Sequence, residues 1–431
     1  MQTSRERLEK ILAQLDQRRK TERVFGTIYS RSARLEADAA DIRRANGRSL
    51  GPLDGRIVSI KDLFDVKGEA TLAGSCIRRS EPPASTDALI VKRLRQAGAV
   101  IVGKTHMTEF AFTAVGLNPH YGVLGNAIEP TRIPGGSSSG AAISVAEGTS
   151  EIAIGSDTGG SVRIPAALNG VVGFKPTARR IPLQGAFPLA PSLDSIGPLA
   201  KTVDDCILAD AIIAGLAPSI PDAVALTDCT IGIPNDLLLD NMDPSVEAAF
   251  EAARYGLEKL GARLVTIELD DLIREFAKAA SIGSIVSIEA ARIHSKTWLH
   301  DPDANVDFRV RETLLKRHLV LDKDYAQLME KRDELARRMN QRLQNIDCFI
   351  TPTTPILPVT IASVSEDEEE YERVETLLLR NTQIGNQFDL CSISLPMPNT
   401  PLPAGLMLTA AANSDRRLLA LARSVEALLS R

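Results

Sequence analysis

Apolar positions along this chain follow a helical and a β-type period in alternation. Near the start, Leu8, Ile11, Leu12 and Leu15 recur at helical spacing, which predicts an amphipathic helix over residues 3–20. A stretch rich in Ala and charge predicts a second helix over 31–45. From Gly55 the pattern turns to a β-type run that ends in Lys61, and Pro82-Pro83 later breaks the chain. A helix is expected over 86–97, opened by Thr86-Asp87 and closed by Gly98, and then a strand over 99–103. Past Pro198 the pattern predicts a helix over 204–215, a loop over 218–228, a strand over 231–233, a helix over 246–260 and a strand over 263–269. Residues 271–345 read as mostly helical and richly charged, and 373–384 and 418–429 as further helices. Strands are expected at 393–396 and 405–408. Alternation of this kind predicts an α/β fold.

The segment from Ile133 to Pro176 departs from this rhythm, with two Gly/Ser clusters set among small apolar residues: Gly135-Gly136-Ser137-Ser138-Ser139-Gly140 and Thr158-Gly159-Gly160-Ser161. Ala141 to Ala146 reads as a short helix ended by Gly148, and Ile152-Ala153-Ile154 as a buried strand. Arg163 to Leu168 reads as a helix start that tolerates Pro165 in its first turn. Ser161 is thereby placed in a strand-to-helix turn. There the backbone N–H groups of Gly159, Gly160 and Ser161 lack helical partners. A hydroxyl beside free N–H groups suits a nucleophile with an oxyanion site. The competing readings are a flexible linker and a phosphate loop. Close-packed Ala, Ile and Val on both sides argue against the first, and the lack of a Lys after the glycines against the second.

A serine nucleophile needs a base. The five histidines, His106, His120, His294, His300 and His318, are not placed against Ser161 by any pattern. Lys61 is the other candidate, because a lysine kept neutral accepts a proton. It interrupts an apolar β-type run, so it points inward or ends the strand; a solvated edge or an ion pair is the plainer reading of such a lysine.

Lys61, Gly135-Gly136-Ser137-Ser138 and Gly155-Ser156-Asp157-Thr158-Gly159-Gly160-Ser161-Val162-Arg163 together strongly resemble the amidase signature family, in order and in the 24-residue separation of Ser137 and Ser161. The likeness runs from about Leu53 to Lys175 and resumes at 347–355 and 386–396. It implies a central mixed β-sheet flanked by helices on both faces. It also implies one domain over 1–431, with substrate-shaping helices at about 215–345. It implies a triad in which Ser161 forms an acyl-enzyme, Ser137 bridges and Lys61 is the terminal base. The Gly136–Ser137 peptide would be cis. Backbone N–H groups of Thr158, Gly159, Gly160 and Ser161 would form the oxyanion hole. Asp157 and Arg163 would brace that loop and Ser138 would support it by hydrogen bonding. A lysine titrating near 10.4 in water must be brought to about 7 for this role, a bias of about 4–5 kcal/mol that burial supplies.

Other groups have plainer roles. Lys104 is read as structural, and His120 as a loop-packing histidine. Trp298, His294, His300 and His318 are read as scaffold or surface, with a place in a substrate funnel as the alternative. The acidic run from Ser365 to Glu370 reads as a solvated loop or helix start. A net charge of −5 and 4% aromatic residues argue against a nucleic-acid partner. Five cysteines without metal-type spacing fit a reducing, cytoplasmic setting. The charged first residues are unlike a secretory signal and no apolar run spans a bilayer, so no membrane partner is expected. No cofactor or metal is called for, and a homodimer is left open. The expected function is hydrolysis of a small carboxamide, with the pocket drawn from 215–345 and loops near Phe187 and Thr353. The alternatives are the glutaminase subunit of a tRNA-dependent amidotransferase and an inactive binding module.

Overall fold

A computed structural model describes residues 2–18 and 21–430. Its strands are β1 Phe25–Ile28, β2 Ile57–Lys61, β3 Val100–Thr105, β4 Ile152–Asp157, β5 Val172–Lys175, β6 Ser195–Ala200, β7 Thr230–Pro234, β8 Arg263–Ile267, β9 Cys348–Pro352, β10 Cys391–Pro396 and β11 Gly405–Ala410. Among the described residues these form one sheet in the order β1-β3-β2-β4-β6-β5-β10-β11-β9-β7-β8. The sheet is mixed. β2 lies parallel to β3 and β4, and β7 parallel to β8 and β9. From β4 through β6, β5, β10 and β11 to β9 every pairing is antiparallel.

Side chains alternate between the faces of a strand, and each face has its own helices. Ile152 and Ile154 of β4, with Ile196 of β6, pack toward the Val203–Ala214 and Asp415–Leu429 helices. Ala153 and Leu199 face the other way, against small residues of the Ser139–Ala146 and Arg163–Leu168 helices. Near β1, Ile57, Val100 and Val102 meet Leu8, Ile11, Leu12 and Leu15 of the Ser4–Gln17 helix. The expected α/β architecture, a mixed sheet with helices on both faces, is the one observed.

Several boundaries differ from the sequence reading for local reasons. The first helix is Ser4–Gln17, opened by a capping box between Thr3 and Glu6; the expected extension reaches Arg19 and Lys20, which lie outside the described residues. The helix expected from Thr86 starts at Leu89, because the Asp87 carboxylate accepts from the Lys67 N–H (2.9 Å) and does not cap. β3 runs on to Thr105, since that residue pairs with both Phe25 and Lys61. The helix expected over 373–384 spans Glu368–Gln387, and Asp367 caps it by accepting from the N–H groups of Glu369 and Glu370. The acidic run thus ends the Ile361–Glu366 helix and starts this one.

The Asp415–Leu429 helix is tied to the sheet by its first residue. The buried Asp415 carboxylate accepts from the Thr177 N–H (2.8 Å) and hydroxyl (2.7 Å), just beyond β5. Asp415→Ala is expected to lower unfolding free energy by about 2–4 kcal/mol, because it strands buried donors. The midpoint of a urea transition measures this, and an unchanged midpoint would show that the tie contributes nothing.

Candidate active site

Two strand ends and two turns converge at one place. β2 ends in Lys61 and parallel β4 ends in Asp157, and the register that sets Ile60 opposite Ile154 carries both ends forward together. Lys61 is 0% exposed. It therefore both ends its strand and points inward. Its ammonium donates to the Ser137 Oγ (2.7 Å) and the Ser156 Oγ (2.9 Å), and no ion pair to it is found among the described residues. Burial pulls this lysine down to about 7, against the opposing pull of Asp157 and Asp194. Ser137 follows a cis peptide from Gly136, whose N–H donates to the Ala114 carbonyl (2.7 Å). The Ser138 hydroxyl donates to the Ser156 carbonyl (3.2 Å), and the Ser138 N–H to the Ser161 carbonyl (3.1 Å). The two Gly/Ser clusters are thus joined.

The turn from β4 into the Arg163–Leu168 helix is held by a buried pair. Arg163 grips Asp157 with two N–H groups, Nη2 to Oδ1 (2.8 Å) and Nε to Oδ2 (3.0 Å), and both residues are 0% exposed. Burial alone would raise the Asp157 carboxyl, but the Arg163 guanidinium outweighs it and holds the group at about 2. The same carboxylate accepts from the N–H groups of Val162 (3.1 Å) and Arg163 (3.4 Å). The preceding N–H groups, of Thr158, Gly159, Gly160 and Ser161, find no acceptor among the described residues. Gly160 has φ +145, and a Cβ there would lie 2.2 Å from the Thr382 Oγ1, so the tight turn requires glycine.

Ser161 is nearly buried and faces a cavity of about 480 Å³. Among the described residues no hydrogen bond joins its hydroxyl to Ser137. The cavity wall comes from 111–114, from Leu189 and Leu193, from 273–287, from Thr313 and Arg317, and from Glu375, Leu379, Gln383 and Gln387. Of the stretch 215–345, residues between Ile273 and Ser287 with Thr313 and Arg317 lie in this wall. Phe187 instead lines an adjoining void of about 170 Å³ that Ser156 also borders. Thr353 is buried against Ser394 (2.7 Å) and does not line the cavity. Its expected place is taken by the Glu368–Gln387 helix. Trp298 stacks on Phe110 and His294 packs tilted against the same ring, while His300 meets His318 edge-on, and none of them lines the cavity. Lys104 is buried 3.2 Å from Asp62, and His120 sits 2.9 Å from Glu109, both in packing roles.

A family model described as Amidase matches residues 6–419. This chain belongs to the amidase signature family. It is 34% identical over 403 residues to the 2-amino-5-chloromuconic acid deaminase of Comamonas testosteroni, covering 92% of this chain and 86% of the relative. It is 33% identical over 438 residues to a glutamyl-tRNA(Gln) amidotransferase subunit of Syntrophus aciditrophicus, covering 93% and 88%. A crystal structure of an amidase superimposes with a TM-score of 0.88 at 33% identity, covering 99% of this chain and 96% of that one. Membership makes this chain an enzyme of the amide-hydrolysing class.

Within this amidase, sequence reasoning missed several residues around the loop. Ser156 lies inside the glycine-rich motif yet had no role there, and only the β2–β4 register brings it to Lys61. Asn386 donates to the Asp157 carbonyl (2.9 Å) and accepts from Arg163 (2.7 Å), and the Thr382 hydroxyl donates to the Gly159 carbonyl (2.7 Å). Asp194, half-buried and pushed upward by desolvation, accepts from the Thr158 hydroxyl (2.7 Å). Glu375 accepts from the N–H groups of Ala114 (2.9 Å) and Val115 (3.0 Å), and burial lifts it to about 7. The helical stride was the available signal. Residues 382 and 386 face the loop, while 375, 379, 383 and 387 face the cavity.

Lys61 makes a stability prediction. Its folded value of about 7 lies below the unfolded 10.5, so the folded state binds its proton more weakly. Below pH 7 the buried ammonium costs about 5 kcal/mol in full, and the cost fades as pH rises toward 10.5. Lys61→Met is therefore expected to be more stable than wild type at pH 6, with the gap closing by pH 10. Denaturation at several pH values measures this; a gap that widens with pH would show that Lys61 is not desolvated.

Proposed function

We propose that this chain hydrolyses a small carboxamide through an ester formed on Ser161. The observation that carries the reading is the 2.7 Å contact from a wholly buried, unpaired Lys61 to Ser137, beside the loop that presents Ser161. Neutral Lys61 accepts the Ser137 proton as Ser137 takes that of Ser161, and the Ser161 Oγ attacks the amide carbon. The N–H groups of Thr158 to Ser161 receive the developing oxyanion. The C–N bond breaks as the proton returns through Ser137 to the leaving nitrogen, which suits a poor leaving group. Water then cleaves the ester by the same relay, releasing a carboxylate. Asp157, Arg163, Ser138 and Gly136 hold the turns. All five cysteines are free, which fits a cytoplasmic setting.

Likeness to a glutamyl-tRNA(Gln) amidotransferase component keeps the glutaminase role as a second reading. Ammonia release from aryl and aliphatic amides and from glutamine decides between them. Hydrolysis of simple amides by the chain alone is expected, lost by about 10³-fold or more in Ser161→Ala, Ser137→Ala and Lys61→Met. Release from glutamine only, or only with a partner protein, would favour the glutaminase, and equal release by Ser161→Ala would remove Ser161 as nucleophile.

The pH profile follows from Lys61. Its neutral form grows as pH rises, so kcat/KM should climb with pH through about 7 and then level. Glu375 ionises over the same range, so Glu375→Gln serves as the control. A limb that persists in Glu375→Gln belongs to Lys61; a limb that vanishes there does not.

A further inference from the structure

Among the described residues two ionisable side chains line the Ser161 cavity, Glu375 and Arg317. Glu375 is committed to the backbone of Ala114 and Val115. Arg317 is barely committed. It is the last residue of the Phe308–Arg317 helix, and Nη1 donates to the Ile282 carbonyl at 3.2 Å. No ion pair to Arg317 is found among the described residues. A guanidinium carries five N–H donors in a planar fork matched to a carboxylate.

The side chain is also held in place. A Cβ on Gly283 would lie 2.7 Å from the Arg317 Cδ, and Gly283 has φ +138, so the arginine stem lies across bare backbone. The residues that line the cavity between Ile273 and Ala280 are all apolar. A half-buried arginine with uncommitted donors thus stands beside apolar surface in the cavity that Ser161 faces.

We propose that Arg317 determines specificity by binding a carboxylate on the end of the substrate remote from the amide, so that the natural substrate class is amido acids, with a carboxamide at Ser161 and a carboxylate at Arg317. This rests on the amidase reading of the same cavity. At about 480 Å³ the cavity has the volume of a small-molecule site and leaves room for a short chain or one ring between the two ends.

Binding to the Ser161→Ala protein tests the inference without turnover. The probes are succinamic, glutaramic, adipamic and 4-carbamoylbenzoic acids, each against its uncharged partner: butyramide, valeramide, hexanamide and benzamide. By calorimetry at least one acid should bind about 10- to 100-fold more tightly than its partner. That preference should disappear in Ser161→Ala/Arg317→Ala and partly return in Ser161→Ala/Arg317→Lys. If no acid outbinds its partner, or the preference survives loss of Arg317, the inference is wrong. Ammonia release is measured separately on protein that retains Ser161. There Arg317→Ala should lower the kcat/KM ratio of acid to neutral amide by a similar factor, mainly through KM; an unchanged ratio counts against it. Failure of the Ser161-containing protein to release ammonia from any amide would overturn the hydrolase reading, while the binding comparison would still judge Arg317.

Discussion

The buried pair of Asp157 and Arg163 is the interaction around which the rest of the site is arranged. Two charges removed from water are tolerable when nearly every lone pair and N–H is used. Here the carboxylate takes two side-chain and two backbone donors on its own turn, and a fifth from Asn386. The guanidinium reaches on to the Thr382 carbonyl and the Asn386 amide. One pair thus fastens a strand end, a turn, a short helix and a helix more than 200 residues later in the chain. With its first-turn amides claimed by Asp157, the helix leaves the amides just before it open, and those surround Ser161.

Among the described residues three lysines are buried, and their surroundings make them different groups. Lys104 has Asp62 at 3.2 Å. Lys175 donates to the Pro176 carbonyl (2.8 Å) and burial brings it to about 8. Lys61 has only hydroxyls. A carboxylate or carbonyl partner favours the ammonium; a hydroxyl is indifferent, since it accepts from the charged form and donates to the neutral one. Lys61 is the one whose immediate neighbours accept either state.

Much of this was legible from local pattern. Alternating periods placed the α/β layers, and the two Gly/Ser clusters marked the turns that the structure brings together, because turns and buried strands leave strong local marks; Lys61 stood out only through the family resemblance. Ser156 carries no such mark; it matters through the register of β2 against β4. The start of the helix at Leu89 was misread because Asp87 is drawn to Lys67 across a loop, a contact that propensity cannot foresee. Glu375 and Arg317 were invisible for the same reason. Each is an ordinary residue on a charged helix, and only packing sets them in one cavity without a counter-ion.

The Glu368–Gln387 helix has a consequence for how this enzyme can change. One of its sides clasps the Asp157–Arg163 turn and an adjacent side walls the cavity, and the two are offset by a single residue. Replacing side chains at 379, 383 or 387 alters the shape offered to a ligand while the clasp at 382 and 386 stays in place. Inserting or deleting one residue turns the helix by about 100° and moves both sides together. Divergence toward new ligands is therefore open to point substitution along this helix and closed to changes in its length.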